Sequence, residues 1–165
     1  MTDNNNDYSD CPPQFTTKPE HQAVMKELIQ REPLFHHPEF GRNKEDFEAM
    51  TDLDFWEVGA SGRRYSREYV ISGVVKRYED PQYEGVKSPP ENTWKTEDFY
   101  CREIAPSTYL LTYTLVQEER ITRRATLWQK CSDNWKILFH QGTVVPLASC
   151  DPSNLGKKGE KCSLL

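Results

Sequence analysis

The sequence lacks any long run of apolar residues. A helix that crosses a membrane needs about 20 consecutive apolar residues, and no stretch of this chain comes close. The first seven residues have neither the positive charge nor the apolar segment of a secretory signal. We therefore expect a soluble, cytoplasmic protein without membrane contact.

Positive charge is also in short supply. The chain has 21 Lys and Arg against 26 Asp and Glu, for a formal net charge of −5. Nucleic acids and anionic lipids attract basic surfaces, so this balance argues against both as partners. It favours a protein partner with a basic surface.

Cysteine pairs and metal-ligand patterns are absent as well. The 5 cysteines include no Cys-x-x-Cys pair, so neither a disulfide framework nor a zinc motif is indicated. His36 and His37 are adjacent, so their side chains should diverge, and no third ligand stands at a suitable spacing. We expect no metal site and no cofactor.

Composition divides the chain into three parts. Residues 1–18 contain almost no aliphatic side chains, which is typical of a segment that cannot offset its ordering entropy. Residues 147–165 are similar in character, so we expect flexible tails at both ends of one domain over 19–146. A loop rich in proline should interrupt that domain at 79–92.

Apolar periodicity predicts helices first and strands afterwards. Apolar residues are spaced for one helical face over 19–31, 43–51 and 66–78, which predicts three helices. Asn43 and Ser66 are the expected N-caps of the second and third helices. Strand-like composition predicts a short strand over 55–58 and then an antiparallel meander over 94–104, 107–118, 120–131 and 134–145.

Both faces of this meander are apolar in part. Leu111 and Tyr113 would lie on one face, and Leu110 and Val116 on the other. A sheet covered by helices on one side only should alternate more sharply. We therefore expect a partner chain or a second copy to cover the convex face.

Four stretches resemble a known family, the most specific being Phe139-His140-Gln141-Gly142-Thr143 near the end. They resemble small, largely uncharacterised bacterial members of the nuclear transport factor 2-like (SnoaL-like) superfamily. The matching stretches are 55–67, 109–113, 124–128 and 135–143. The resemblance implies an α+β fold, in which a cone-shaped, curved antiparallel sheet of about four to six strands packs on three helices from the N-terminal half.

A cone of this kind could hold a ligand among polar and aromatic side chains. His140 could act as base or acid near neutral pH, and Glu57 is the acid of the matching strands that could point inward. Alternatively, His140 and Gln141 bond the backbone at the end of the sheet. The pocket candidates are Trp56, Glu57, Tyr65, Tyr113, Arg124, Trp128, His140 and Gln141.

The resemblance leaves several functions open, because the superfamily includes both enzymes and binding proteins. No catalytic carboxylate pair can be placed, so the sequence favours a non-catalytic protein-binding module. Its most concrete form is an immunity-type protein that neutralises a toxin enzyme. One alternative is a small-molecule-binding protein, or an isomerase, hydrolase or dehydratase, that uses the cone; in an enzyme, His140 or Glu57 would move a proton. The other alternative is a structural homodimer formed through the convex sheet face.

Overall fold

The structure is a computed structural model, and it describes residues 14–80, 94–118 and 120–146. Residues 1–13 of the predicted N-terminal tail, the whole predicted C-terminal tail and nearly all of the predicted proline-rich loop lie outside the described residues.

Three α-helices occupy the positions that the apolar periodicity predicts. A 3-10 turn at Pro19–His21 leads into α1 at Gln22–Ile29, and α2 and α3 follow at Lys44–Met50 and Arg67–Glu79. Both predicted caps form: the Asn43 side chain accepts from Asp46 N–H at 2.9 Å, and Ser66 Oγ accepts from Tyr69 N–H at 3.3 Å. The side chain of Asp46 reaches back to Asn43 N–H and completes a capping box.

Six strands form one curved sheet, which confirms the predicted α+β class. In chain order they are β1 at Thr51–Val58, β2 at Arg64–Ser66, β3 at Trp94–Ala105, β4 at Thr108–Gln117, β5 at Arg120–Cys131 and β6 at Asn134–Val144. Their order across the sheet is β2-β1-β6-β5-β4-β3. The meander from β3 to β6 is antiparallel, as predicted.

One pair of strands departs from the predicted antiparallel arrangement. Strands β1 and β6 are parallel, with Glu57 paired to His140. No hairpin joins them, because α3 and the meander intervene, so the connection leaves either direction open. This pairing places the first strand of the sheet beside the last.

The core lies between the helices and the concave face of the sheet. Leu111 and Ile137 from the sheet are fully buried, as is Leu28 from α1, and Ile71 of α3 is 3% exposed. On the convex face the ring of Trp56 packs against that of Phe139, with 4.7 Å between centroids. Phe139 and Ile137 lie on opposite faces although they are two residues apart, because the register of β5 and β6 shifts between Leu127 and Trp128.

The packed chain begins before residue 19, where composition puts its start. Thr17 is 6% exposed. Its hydroxyl accepts from Cys101 N–H at 2.9 Å and donates to Met25 Sδ at 3.3 Å. Phe15 packs on Tyr100, with ring centroids 4.9 Å apart. The hydroxyl of Thr17 and the ring of Phe15 hold this segment against β3, at the edge of the sheet. Two side chains change the composition of residues 1–18 very little, so composition does not reveal these contacts.

Among the described residues, no helix is both long and apolar enough to cross a membrane.

Candidate functional site

A buried carboxylate stands at the centre of the concave side. Glu32 follows α1, in a turn where Arg31 N–H donates to Leu28 O at 3.0 Å and Glu32 N–H donates to Ile29 O at 3.2 Å. Its side chain points into the cone and is 3% exposed. Glu32 has no functional signal in the sequence, because a residue next to Pro33 at the end of a helix is typical of a loop.

Three side chains from the sheet donate hydrogen bonds to this carboxylate. The hydroxyl of Tyr113 donates to Oε2 at 2.9 Å. The hydroxyl of Thr126 and the indole N–H of Trp128 donate to Oε1, at 2.6 Å and 3.3 Å. Alternate positions of one strand share a face, which explains how Thr126 and Trp128 reach the same oxygen. We call Glu32, Tyr113, Thr126, Trp128 and His140 the Glu32 cluster.

The environment of Glu32 brings its titration close to neutrality. Burial raises the pKa of this carboxyl to about 7, although its hydrogen bonds from Thr126, Tyr113 and Trp128 and the charge of Arg124 favour the ionised form. Near pH 7 the group therefore exists in both protonation states. An acid–base catalyst works best with a pKa near the operating pH.

His140 joins the cluster through Thr126. Its Nδ1 lies 3.0 Å from the Thr126 hydroxyl. When that hydroxyl donates to the ionised carboxylate of Glu32, its oxygen accepts from Nδ1–H, which assigns the tautomer of the ring. Burial, followed by the charge of Arg124, lowers the pKa of His140 to about 3. The ring is neutral at physiological pH, so Glu32 takes the titrating role that the sequence assigned to His140.

Arg124 and Glu57 stand beside the cluster and are less deeply buried. Arg124 faces Tyr113 in the register of β4 and β5, and its Nε donates to the hydroxyl of Thr122 at 3.2 Å. Burial raises the pKa of Glu57, and the charge of Arg124 acts against that rise. Glu57 lies next to His140 on the same face because the two residues are partners across β1 and β6.

The structure separates the remaining pocket candidates from this cluster. Trp56 and Gln141 neighbour Glu57 and His140 in sequence and therefore point to the convex face, where Gln141 is exposed and its amide donates to the Thr143 hydroxyl at 3.4 Å. Tyr65 stacks on Tyr69, with ring centroids 5.0 Å apart, and packs against the edge of the core.

The alternative interpretation of His140 and Gln141, as residues that bond the backbone at the end of the sheet, differs from the observed contacts. The ring of His140 contacts the side-chain hydroxyl of Thr126, and the amide of Gln141 donates to that of Thr143.

No metal centre emerges from residues 14–80, 94–118 and 120–146, where no three His, Cys, Asp or Glu side chains come together. The adjacent histidines diverge as expected. The ring of His36 packs edge-on against Trp94, with centroids 5.1 Å apart, whereas His37 Nε2 lies 2.8 Å from the backbone oxygen of Glu32.

A wide groove runs across β3, β4, β5 and β6. It encloses about 750 Å³, and the floor includes Leu110, Thr112 and Ala125. Phe15 and Tyr100 line one side. The lining also includes Phe99, Arg124 and Tyr113 of the Glu32 cluster.

Comparison with family models finds no match, and neither does comparison with curated proteins. Solved structures do match. A nuclear transport factor 2-like protein from Cytophaga hutchinsonii is 12% identical, with a TM-score of 0.56 over 78% of this chain and 100% of that one. A cystatin-like fold protein from Burkholderia xenovorans is also 12% identical, with a TM-score of 0.56 over 79% of this chain and 95% of that one.

An uncharacterised protein with a cystatin-like fold from Caulobacter vibrioides is 18% identical, with a TM-score of 0.53 over 77% of this chain and 91% of that one. Identities this low carry information about the fold alone. The chain therefore has the nuclear transport factor 2-like fold, also described as cystatin-like.

Proposed function

We propose that the protein binds a small molecule in its cone and exchanges a proton with it through the Glu32 cluster. The observation that carries this proposal is a carboxylate that is 3% exposed, bonded by three side-chain donors and titrating at about 7. Burying a carboxylate costs stability unless it is paired. A protein that only needed to fold would gain by an apolar residue at this position.

Tyr113 is the member of the cluster that also lines the groove of about 750 Å³. Its hydroxyl donates to Oε2, and its ring stacks on Phe99 with centroids 5.1 Å apart. Thr126 and Trp128 occupy Oε1 and fix the orientation of the carboxylate. A proton can thus pass between a bound molecule and Glu32 by way of the Tyr113 hydroxyl, with Glu32 as the reservoir.

This chemistry suits the alternative function named from the sequence, an isomerase, hydrolase or dehydratase, since each of these reactions moves a proton. Glu32 supplies the proton-transferring group for which the sequence suggested His140 or Glu57. The hypothesis of a toxin-neutralising protein rests on charge and resemblance and stays a prediction.

A fragment screen by NMR tests the proposal. Small molecules that enter the cone should shift the indole N–H signal of Trp128 in a saturable way, and the response should change between pH 6 and pH 8 as Glu32 titrates. In Glu32→Gln that pH dependence should vanish. The proposal is wrong if every binding fragment maps to the convex face and the Glu32 carboxyl titrates like an ordinary glutamate.

The convex face supports a second candidate function, association with a protein or with another copy of this chain. Trp56 is 42% exposed there beside Phe139, and exposed aromatic residues on an apolar surface are typical of interfaces. Sedimentation of the wild type and of Trp56→Ser tests self-association: a dimer that Trp56→Ser weakens supports it, and a monomer at all concentrations excludes it.

A further inference from the structure

Arg124 is a cation inside the cone without a carboxylate in ion-pair contact. Among the described residues, the ion pairs within 4.0 Å involve other side chains. Its Nε is held by the Thr122 hydroxyl at 3.2 Å, so the guanidinium has a defined orientation. It also interacts with the hydroxyl of Tyr113.

Arg124 stands where the buried cluster meets accessible space. Tyr113 and Trp128 are 2% exposed and His140 is 5% exposed, whereas Arg124 and Phe99 keep an intermediate share of their surface accessible. The guanidinium fork is held at Nε by Thr122, and Arg124 lines the groove of about 750 Å³. Such a fork matches the two oxygens of a carboxylate.

We propose that the ligand of the cone is a small organic carboxylate, bound through its two oxygens by the Nη groups of Arg124 with its apolar part against the rings of Phe99 and Tyr113. This inference rests on the proposed function and names its ligand class. A phosphate would fit the fork as well, but it is a stronger hydrogen-bond acceptor with more charge, and Glu32 and Glu57 both stand within the reach of Arg124. A singly charged ligand with an apolar body meets less repulsion.

Binding of such an anion should be coupled to uptake of a proton by Glu32. Two titratable or charged groups face this carboxyl, Tyr113 of β4 and Arg124 of β5. His140 of β6 and Glu57 of β1 lie on the same concave face. The ring of His37 contacts the backbone oxygen of Glu32. Buried His140 is already neutral, so Glu32 is the group placed to respond. A new negative charge at Arg124 disfavours its ionised form. Carboxylate affinity should therefore fall as pH rises above about 7.

The test titrates the full-length protein with benzoate and, as the neutral analogue of the same shape, with benzamide, while the Trp128 indole N–H signal is followed by NMR. Arg124→Gln removes the fork. Arg123→Gln is the matched control, because it removes the same charge one position away, on the opposite face of β5. Arg123 lines the same groove, but it is exposed and already pairs with Asp98 at 3.1 Å.

We expect benzoate to bind at millimolar concentrations or below and benzamide to bind much more weakly. Arg124→Gln should lose roughly 10- to 100-fold in benzoate affinity, the usual worth of a charged hydrogen-bonded contact, and Arg123→Gln should lose little. Equal binding of benzoate and benzamide, full benzoate affinity in Arg124→Gln, tighter binding of inorganic phosphate than of benzoate, or no saturable binding would each overturn the proposal.

The Glu32→Gln variant separates this inference from the proposed function. It should still bind benzoate, but with an affinity that no longer depends on pH between pH 6 and pH 8. If the wild type also binds benzoate through Arg124 without pH dependence, the carboxylate site stands and the proton-exchange function fails. If Glu32 titrates near neutrality and only neutral fragments enter the cone, the proton-exchange function stands and the carboxylate site fails.

Discussion

Glu32 should make the stability of this protein depend on pH in a direction opposite to that of most acidic residues. Its carboxyl has an ordinary pKa of 4.5 in the unfolded chain and a pKa of about 7 in the folded protein, because burial disfavours the charge. Between these values the unfolded chain has already lost the proton that the folded protein keeps. The contribution of Glu32 is therefore fully favourable below about pH 4.5 and is lost progressively up to about pH 7.

The size of this effect follows from the two pKa values. A tenfold difference in proton affinity is worth about 1.4 kcal/mol, so the change from 4.5 to about 7 amounts to about 3 kcal/mol. Glu32 is almost completely buried, so solvent screening does not reduce the figure as it would for a surface carboxyl.

Urea unfolding of the wild type and of Glu32→Gln over about pH 4 to pH 8 measures this pH-dependent contribution of Glu32 to stability. The difference in unfolding free energy between the two proteins should shift by about 3 kcal/mol in favour of the variant as pH rises. The cost of fitting Gln into the site does not depend on pH, so it cancels when only the change of this difference with pH is considered. Glu45→Gln, an exposed substitution on α2, controls for the loss of one carboxyl. A flat difference curve for Glu32→Gln would refute the reasoning.

Three further predictions concern single groups. His140, whose pKa burial lowers from 6.5 to about 3, should cost stability as pH falls below about 6.5; His140→Gln should flatten the acid side of the stability curve in urea unfolding, and an unchanged acid slope would contradict this. Thr126→Val should lower the unfolding free energy at neutral pH by about 2 kcal/mol, because loss of the 2.6 Å bond to Glu32 leaves a buried acceptor short of a donor. Thr126→Ser keeps the hydroxyl and should retain most of the stability; a loss as large as that of Thr126→Val would show that the hydroxyl is not the main contribution. Asn43→Ala should cost about 1 kcal/mol through the lost cap of α2, with Asn43→Ser as the conservative control, and no change in melting temperature would mean that the cap contributes nothing.

The sequence predicted the elements of this fold well because their signals are local. Apolar side chains spaced for one helical face, together with the caps at Asn43 and Ser66, placed α2 and α3 to within one residue at their N-termini. Aromatic and β-branched runs placed the four strands of the meander with similar accuracy. The parallel pairing of β1 with β6 has no local signal, since the two strands are joined by most of the chain.

The candidate site was predicted only in part, for a related reason. The residue types and the cone implied by the resemblance made Tyr113, Arg124, Trp128 and His140 candidates, and the fold places these four on the concave face. The same list included Trp56 and Gln141, because the sequence does not say which of the two sets of alternating residues meets the helices. That choice depends on the packing of α1, α2 and α3 on the sheet.

Glu32 marks the limit of what the sequence by itself determined. Composition argued against a nucleic-acid partner, periodicity predicted the order of the helices and strands, and the family resemblance implied the α+β cone. The role of Glu32 was decided by tertiary structure alone: its donors Tyr113, Thr126 and Trp128 stand more than 80 residues away along the chain. Its pKa is raised by burial, and burial exists only once the helices close over the sheet, because the cost of ionising a carboxyl depends on the water removed around it.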